Sequence, residues 1–179
     1  MGGTLAIDAA LLHPDRVSGL VLIGAAVSGM TDEDTPFDWE ADDASAPLMA
    51  RADDRDLTAD DRIRGLAHLW LDGPVAREGR VAGDARDLFV EMNRTILAVD
   101  APGSAGDAGT DAWTRLNELR LPVVCTWGEL DLPCDISFYE ETARRIGQEG
   151  GQVLPAVAHL PGLEQPALVA DLVRDAARR

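Results

Sequence analysis

The sequence contains no lysine; all 16 of its basic residues are arginine. Covalent chemistry through a lysine amine is thereby excluded, and the use of one cation throughout reads as a coding bias. Positive charge is scarce as well: 16 basic residues stand against 32 acidic ones, a net charge of −16. Such a field repels nucleic acid and anionic membrane surfaces, so neither is expected as a partner. Cysteine is limited to Cys125 and Cys134, too few for a disulfide framework. Reduced thiols and a cytoplasmic location are the expectation. No apolar run is long enough to cross a bilayer. The N-terminus lacks the basic region of a secretory signal. Its Met-Gly start lacks the Ser or Thr that myristoylation requires at position 6, where Ala6 stands.

What is present is the composition of a globular chain: 179 residues, 46% hydrophobic and 27% charged, enough to bury a core. Leu5, Ala9 and Leu12 have helical spacing and predict a helix over 3–12 that Pro14 stops. The run 17–26 (VSGLVLIGAA) predicts a buried strand of a parallel sheet, ended by the small residues Gly24, Ala25 and Ala26. Residues 31–61 hold twelve acids against two arginines and read as a surface insertion. Thr58 and Asp61 have capping-box spacing ahead of Ile63, Leu66, Ala67, Trp70 and Leu71. A second helix is predicted over 84–99, with Leu88, Met92, Ile96 and Val99 on one stripe. Strands are predicted at 123–127 and 152–157, and helices at 136–147 and 163–178, the last with Leu163, Leu168, Leu172 and Val173 inward. Strands alternating with helices, and two helices inserted after the first strand, predict an α/β fold with a helical cap.

Two titratable residues fall where such a fold places its chemistry. Asp131 follows the strand at 123–127, and His159 lies in the loop after the next strand. Ligands of open α/β sheets bind at the carboxyl ends of strands. There an acid can orient an imidazole, and the imidazole can accept a nucleophile's proton. Asp135 is the alternative acid. Cys134 and Ser28 are alternative nucleophiles: no motif places Cys134 beside His159, and Ser28 follows a strand but lacks the glycines of an elbow. His13 and His68 read as structural or surface residues, and Trp70, Phe89 and Met92 as packing between cap and core. The acid-rich stretch matches no calcium-loop spacing, and no metal is expected.

The first residues, Met1-Gly2-Gly3, read as the second half of a nucleophile elbow, G-x-S-x-G, with the serine just upstream of Met1. Together with HPDRVSGLVLIGAA (13–26), LPVVCTWGELD (121–131) and AHLPGLEQP (158–166), this resembles the C-terminal portion of an α/β-hydrolase. Within that superfamily the resemblance is to the esterase and 3-oxoadipate enol-lactonase-like group. The order nucleophile, acid, histidine is the same. The resemblance implies His159 as general base, Asp131 as its orienting acid and the Met1 backbone N–H as an oxyanion donor. It implies hydrolysis of a small ester or lactone through a Ser-His-Asp triad, with no cofactor. The expected organisation is a hydrolase core over 1–30, an acidic segment and cap over 31–111, and the rest of the core over 112–179. Two other readings stay open. One is an inactive fragment or binding remnant. The other is a dehalogenase or epoxide hydrolase with aspartate as nucleophile. Oligomeric state is left open.

Overall fold

The computed structural model describes residues 2–30, 41–99, 109–147 and 151–178. Three parallel strands form its centre in the order β1 (Leu20–Ile23), β2 (Val123–Gly128) and β3 (Gln152–Leu154). β1 is shorter than the apolar run predicted. Its ladder begins where the Leu20 N–H reaches the Pro122 carbonyl and ends where the Gly24 N–H reaches that of Thr126. Gly24 then turns with φ +51°, a conformation in which glycine alone is unstrained. β3 likewise stops at Leu154, and residues 155–160 run on as loop.

Helices cover the sheet. The helix predicted over 3–12 forms as α1 (Gly2–Leu12); it buries Ile7 and Ala10, and Leu5 and Leu12 are exposed. Its buried Asp8 accepts a hydrogen bond from the Ser28 hydroxyl at 2.7 Å. Ile7 and Ala10 join Leu22, Trp113, Cys125, Trp127, Phe138 and Tyr139 in the main core, where Trp113 stacks on Phe138 with ring centroids 5.6 Å apart. β2 is the middle strand and is buried almost throughout, as expected of a strand covered on both faces.

Among the described residues, three helices follow β1 ahead of the short helix that leads into β2: α2 (Ser45–Asp53), α3 (Ala59–Leu66) and α4 (Asp84–Leu97). The sequence predicted two. α2 arises within the acid-rich stretch because the Asp42 carboxylate accepts the backbone N–H groups of Ala44 (2.8 Å) and Ser45 (3.0 Å) and the Ser45 hydroxyl (2.8 Å). The predicted cap of α3 forms as written, with the Asp61 N–H donating to Thr58 Oγ1 at 3.1 Å. Beyond Leu66 the helix widens to π geometry over Ala67–Asp72. α4 turns Phe89 inward, and the predicted stripe of Leu88, Met92 and Ile96, with Val99 beyond the helix end, is exposed. Ala67, Leu71 and Phe89 form a second, smaller core that reaches Leu160 and Leu163.

The short α5 (Ala112–Arg115) precedes β2, and α6 (Pro133–Ile146) follows it. α6 starts earlier than predicted because Pro133 takes its first position. The single final helix predicted is two, α7 (Pro161–Glu164) and α8 (Pro166–Ala176), with Pro166 opening the second. α8 buries no residue fully, and its Val173 is exposed.

Gly128, at the end of β2, is where the strand meets the loop after β3. A Cβ there would lie 2.5 Å from the Val157 carbonyl oxygen and closer still to that of Ala158. Gly128→Ala is expected to destabilise the chain by about 1–3 kcal/mol through overpacking, a loss that a urea titration would read directly.

Candidate active site

The turn after β2 and the loop after β3 are tied together by backbone. The Glu129 N–H donates to the Leu154 carbonyl (3.0 Å), and the Leu130 N–H donates to that of Val157 (2.9 Å). The Glu129 carboxylate accepts the Ala156 N–H at 2.9 Å, which holds Ala156 in a left-handed conformation with φ +58°. These bonds set the spacing between Asp131 and His159.

Asp131 is 1% exposed. One of its oxygens accepts the Leu132 N–H at 2.9 Å. His159 turns Nδ1 toward both oxygens, at 3.0 and 3.2 Å, so Nε2 is the nitrogen left for a third partner. Burial works against protonation of His159, but the hydrogen bond and charge of Asp131, with the charge of Asp135, outweigh it and raise its pKa above the ordinary 6.5. Pairing with a group whose folded pKa is raised stabilises the fold most below pH 6.5, and that contribution is lost as pH rises through the raised value.

Asp135 stands in the first turn of α6. Burial, and then the charge of Asp131, push its pKa up to about 6. One donor atom from each of Asp131, Asp135 and His159 lies within 4.8 Å of the others. Nδ1 and the Asp131 oxygens are engaged with one another, however, which is the arrangement of a hydrogen-bonded pair with a neighbouring carboxyl and not of ligands aimed at a common ion. Trp70, read from sequence as packing, lies against His159 from the cap with ring centroids 4.7 Å apart. Only its place on the π turn, a geometry frequent at functional sites, could have singled it out. Gly24 brings β1 to the same place: a Cβ there would be 3.4 Å from Tyr139 Oη and 3.8 Å from Asp131 Oδ2.

The other sequence candidates are elsewhere or engaged elsewhere. Ser28 donates to Asp8. Cys134 Sγ faces Asp135 at 3.9 Å, and burial followed by the Asp135 charge raises its thiol pKa. Cys125 is buried in β2, and its thiol is pushed up to about 11. His68 Nε2 meets the Ala76 carbonyl at 3.0 Å, and His13 is exposed beside the turn at Pro14–Arg16. Met1 lies outside the described residues. A groove of about 590 Å³ at the amino ends of the strands, between β1, β2 and α8, carries no titratable side chain and lies away from the pair.

No protein-family model matches the chain. Comparison with solved structures finds a thermophilic esterase from Thermogutta terrifontis at a TM-score of 0.61 and 22% identity, covering 99% of this chain and 62% of that one. The fold is that of the α/β-hydrolases. Two curated relatives agree. A Bacillus subtilis (strain 168) protein, provisionally named a 2-succinyl-6-hydroxy-2,4-cyclohexadiene-1-carboxylate synthase, is 25% identical over 98% of this chain and 62% of its own length. A pimeloyl-[acyl-carrier protein] methyl ester esterase of Aromatoleum aromaticum is 26% identical over 99% of this chain and 71% of its own. The chain thus spans about two thirds of these proteins, in keeping with the expected portion of an α/β-hydrolase fold. Between β1 and β2 it carries the inserted helical cap. No helix among the described residues is long and apolar enough to cross a membrane.

Proposed function

We propose that the chain supplies the acid–base half of a hydrolase active site that cleaves a small ester or lactone. The observation that carries this reading is the buried Asp131 carboxylate holding Nδ1 of His159 at the carboxyl ends of parallel strands. In this reading a serine immediately before Met1, beyond these 179 residues, attacks the carbonyl carbon. Nε2 of His159 takes the serine proton, Asp131 stabilises the imidazolium, and the proton passes to the departing alcohol. A water deprotonated by His159 then cleaves the acyl-enzyme. The Met1 N–H is assigned to the oxyanion hole. Among the relatives, a methyl ester esterase supports an ester substrate. The synthase named beside it shows why the substrate does not transfer with the fold.

The partners of several described hydroxyls and of the Cys134 thiol favour one corollary. Ser28 is bonded to Asp8, Ser45 to Asp42 and Ser137 to the Pro133 carbonyl, while Cys134 faces Asp135. On this reading, with the attacking serine outside these residues, the 179-residue chain by itself is inactive. Assayed with p-nitrophenyl acetate, it is expected to show no serine-dependent hydrolysis. A longer polypeptide that includes the in-frame upstream sequence is expected to be active. Turnover by the 179-residue chain that is abolished in His159→Ala would overturn the assignment of the nucleophile.

A further inference from the structure

One polar network joins the cap to the loop that carries His159. Asp72, at the end of the π turn, is fully buried. Its carboxylate accepts the Gly79 N–H (2.8 Å) and the Val81 N–H (2.9 Å), on either side of Arg80, and pairs with Arg86. Arg80 is thereby presented to the loop. Its Nε donates to the Asp72 carbonyl at 2.7 Å, and one terminal nitrogen donates to the Leu71 carbonyl at 2.8 Å. The other terminal nitrogen donates across to the Ala156 carbonyl at 2.9 Å. The guanidinium also pairs with the Glu164 carboxylate, whose side chain is 3% exposed. The second Glu164 oxygen accepts the Ala158 N–H at 2.8 Å. Ala158 is the residue before His159.

Loop 156–164 is thus held at its left-handed Ala156, at Ala158 and at Glu164, with one arginine from the cap fixing two of these points directly. Cap and core meet here through polar side chains, beside the apolar contacts of Trp70 with His159 and of Leu160 and Leu163 with the cap's small core. A lysine could carry the charge of Arg80 but could not span these acceptors, because the bonds require a planar fork of donors.

We infer that Arg80 and Glu164 are positioning residues that set the pose of His159 against Asp131 from the cap. The inference rests on the reading of His159 as the base. It makes the cap a part of the acid–base machinery as well as a cover for it: any movement of residues 72–81 is transmitted to the imidazole.

The test is an NMR titration of the His159 imidazole in the 179-residue chain, with His13 as the internal control. Among the described residues, the charged and titratable groups facing His159 are Asp131 and Asp135, and the Trp70 ring lies against it. Two effects of Arg80→Ala have opposite signs. Loss of a positive charge nearby would raise the His159 pKa, whereas loss of alignment with Asp131 would lower it, because burial then dominates. The expected result is a fall of the His159 pKa below its wild-type value. Arg80→Lys keeps the charge and loses the fork, so it is expected to fall as well, and it serves if the alanine variant does not fold. Glu164→Gln keeps an acceptor for Ala158 and is expected to shift less than Glu164→Ala. A His159 pKa that stays or rises in Arg80→Ala, or that Arg80→Lys restores, overturns the positioning role and leaves the pair itself intact. A wild-type imidazole whose Nδ1 proton shows no hydrogen-bonded downfield signal would overturn both, since no aligned pose would exist to be held.

Discussion

Asp72→Ala is expected to cost the fold about 3–5 kcal/mol, the range for removing one partner of a buried ion pair. The carboxylate is fully buried and satisfies two backbone N–H groups and Arg86. Truncation leaves all three donors without their acceptor, one of them charged. Asp72→Asn retains an acceptor oxygen and is expected to cost less, about 1–3 kcal/mol. Urea unfolding at neutral pH measures both. The pH dependence has a definite sign. Burial pushes the Asp72 pKa up, but the Arg86 hydrogen bond and those from Val81 and Gly79 outweigh it, and the folded value lies below the ordinary 3.8. The stabilisation is therefore present above pH 3.8 and is lost as pH falls through the lower folded value. In Asp72→Asn this part of the acid sensitivity should disappear.

The other large effect is catalytic and, on the proposed reading, is expected of a polypeptide that includes the in-frame upstream sequence. Asp131→Asn is expected to lower kcat/KM by about 10⁴-fold, because the imidazole loses the carboxylate that fixes its tautomer and stabilises its charge. The base must be neutral to accept the serine proton. In the wild-type protein kcat/KM should therefore rise with pH, with its half-point above 6.5, the ordinary histidine value that the pairing with Asp131 raises. In Asp131→Asn the residual activity should titrate at lower pH, since burial then acts without its main counterweight. A pH profile of kcat/KM for the two proteins separates this from simple loss of folding, which would scale the rate without moving the half-point.

The sequence made the Asp131–His159 pair legible because the signals are local. Each residue follows a short apolar run bounded by turn residues, and chain order supplied the rest. The parallel sheet was legible for the same reason, although the ends of β1 and β3 were not. An apolar run shows where a strand can lie, whereas the length of the partner strand decides where the ladder stops. Among the described residues β1 pairs only with residues 122–126, so Val17 and Ser18 fall outside it. α2 escaped because Asp42 is one acid among many in composition, and only its geometry makes it a cap.

The outward stripe of α4 is more instructive. Leu88, Met92, Ile96 and Val99 satisfy helical periodicity, yet the described structure buries Phe89 and sets Arg86 against Asp72. Periodicity identifies an apolar face without saying which neighbour covers it. The network of Arg80 was out of reach altogether: its bonds to Ala156 and Glu164 join residues 76 and 84 positions apart, and no spacing rule links an arginine in a loop to a glutamate in a distant helix.

The measurement that most directly tests the assignment is covalent labelling of the longer polypeptide with a fluorophosphonate, followed by peptide mass spectrometry. The expected adduct is on the serine immediately before Met1, formed at a rate that falls steeply in His159→Ala and Asp131→Asn. An adduct on Ser28, Ser45, Ser137 or Cys134, or labelling indifferent to His159, would contradict it.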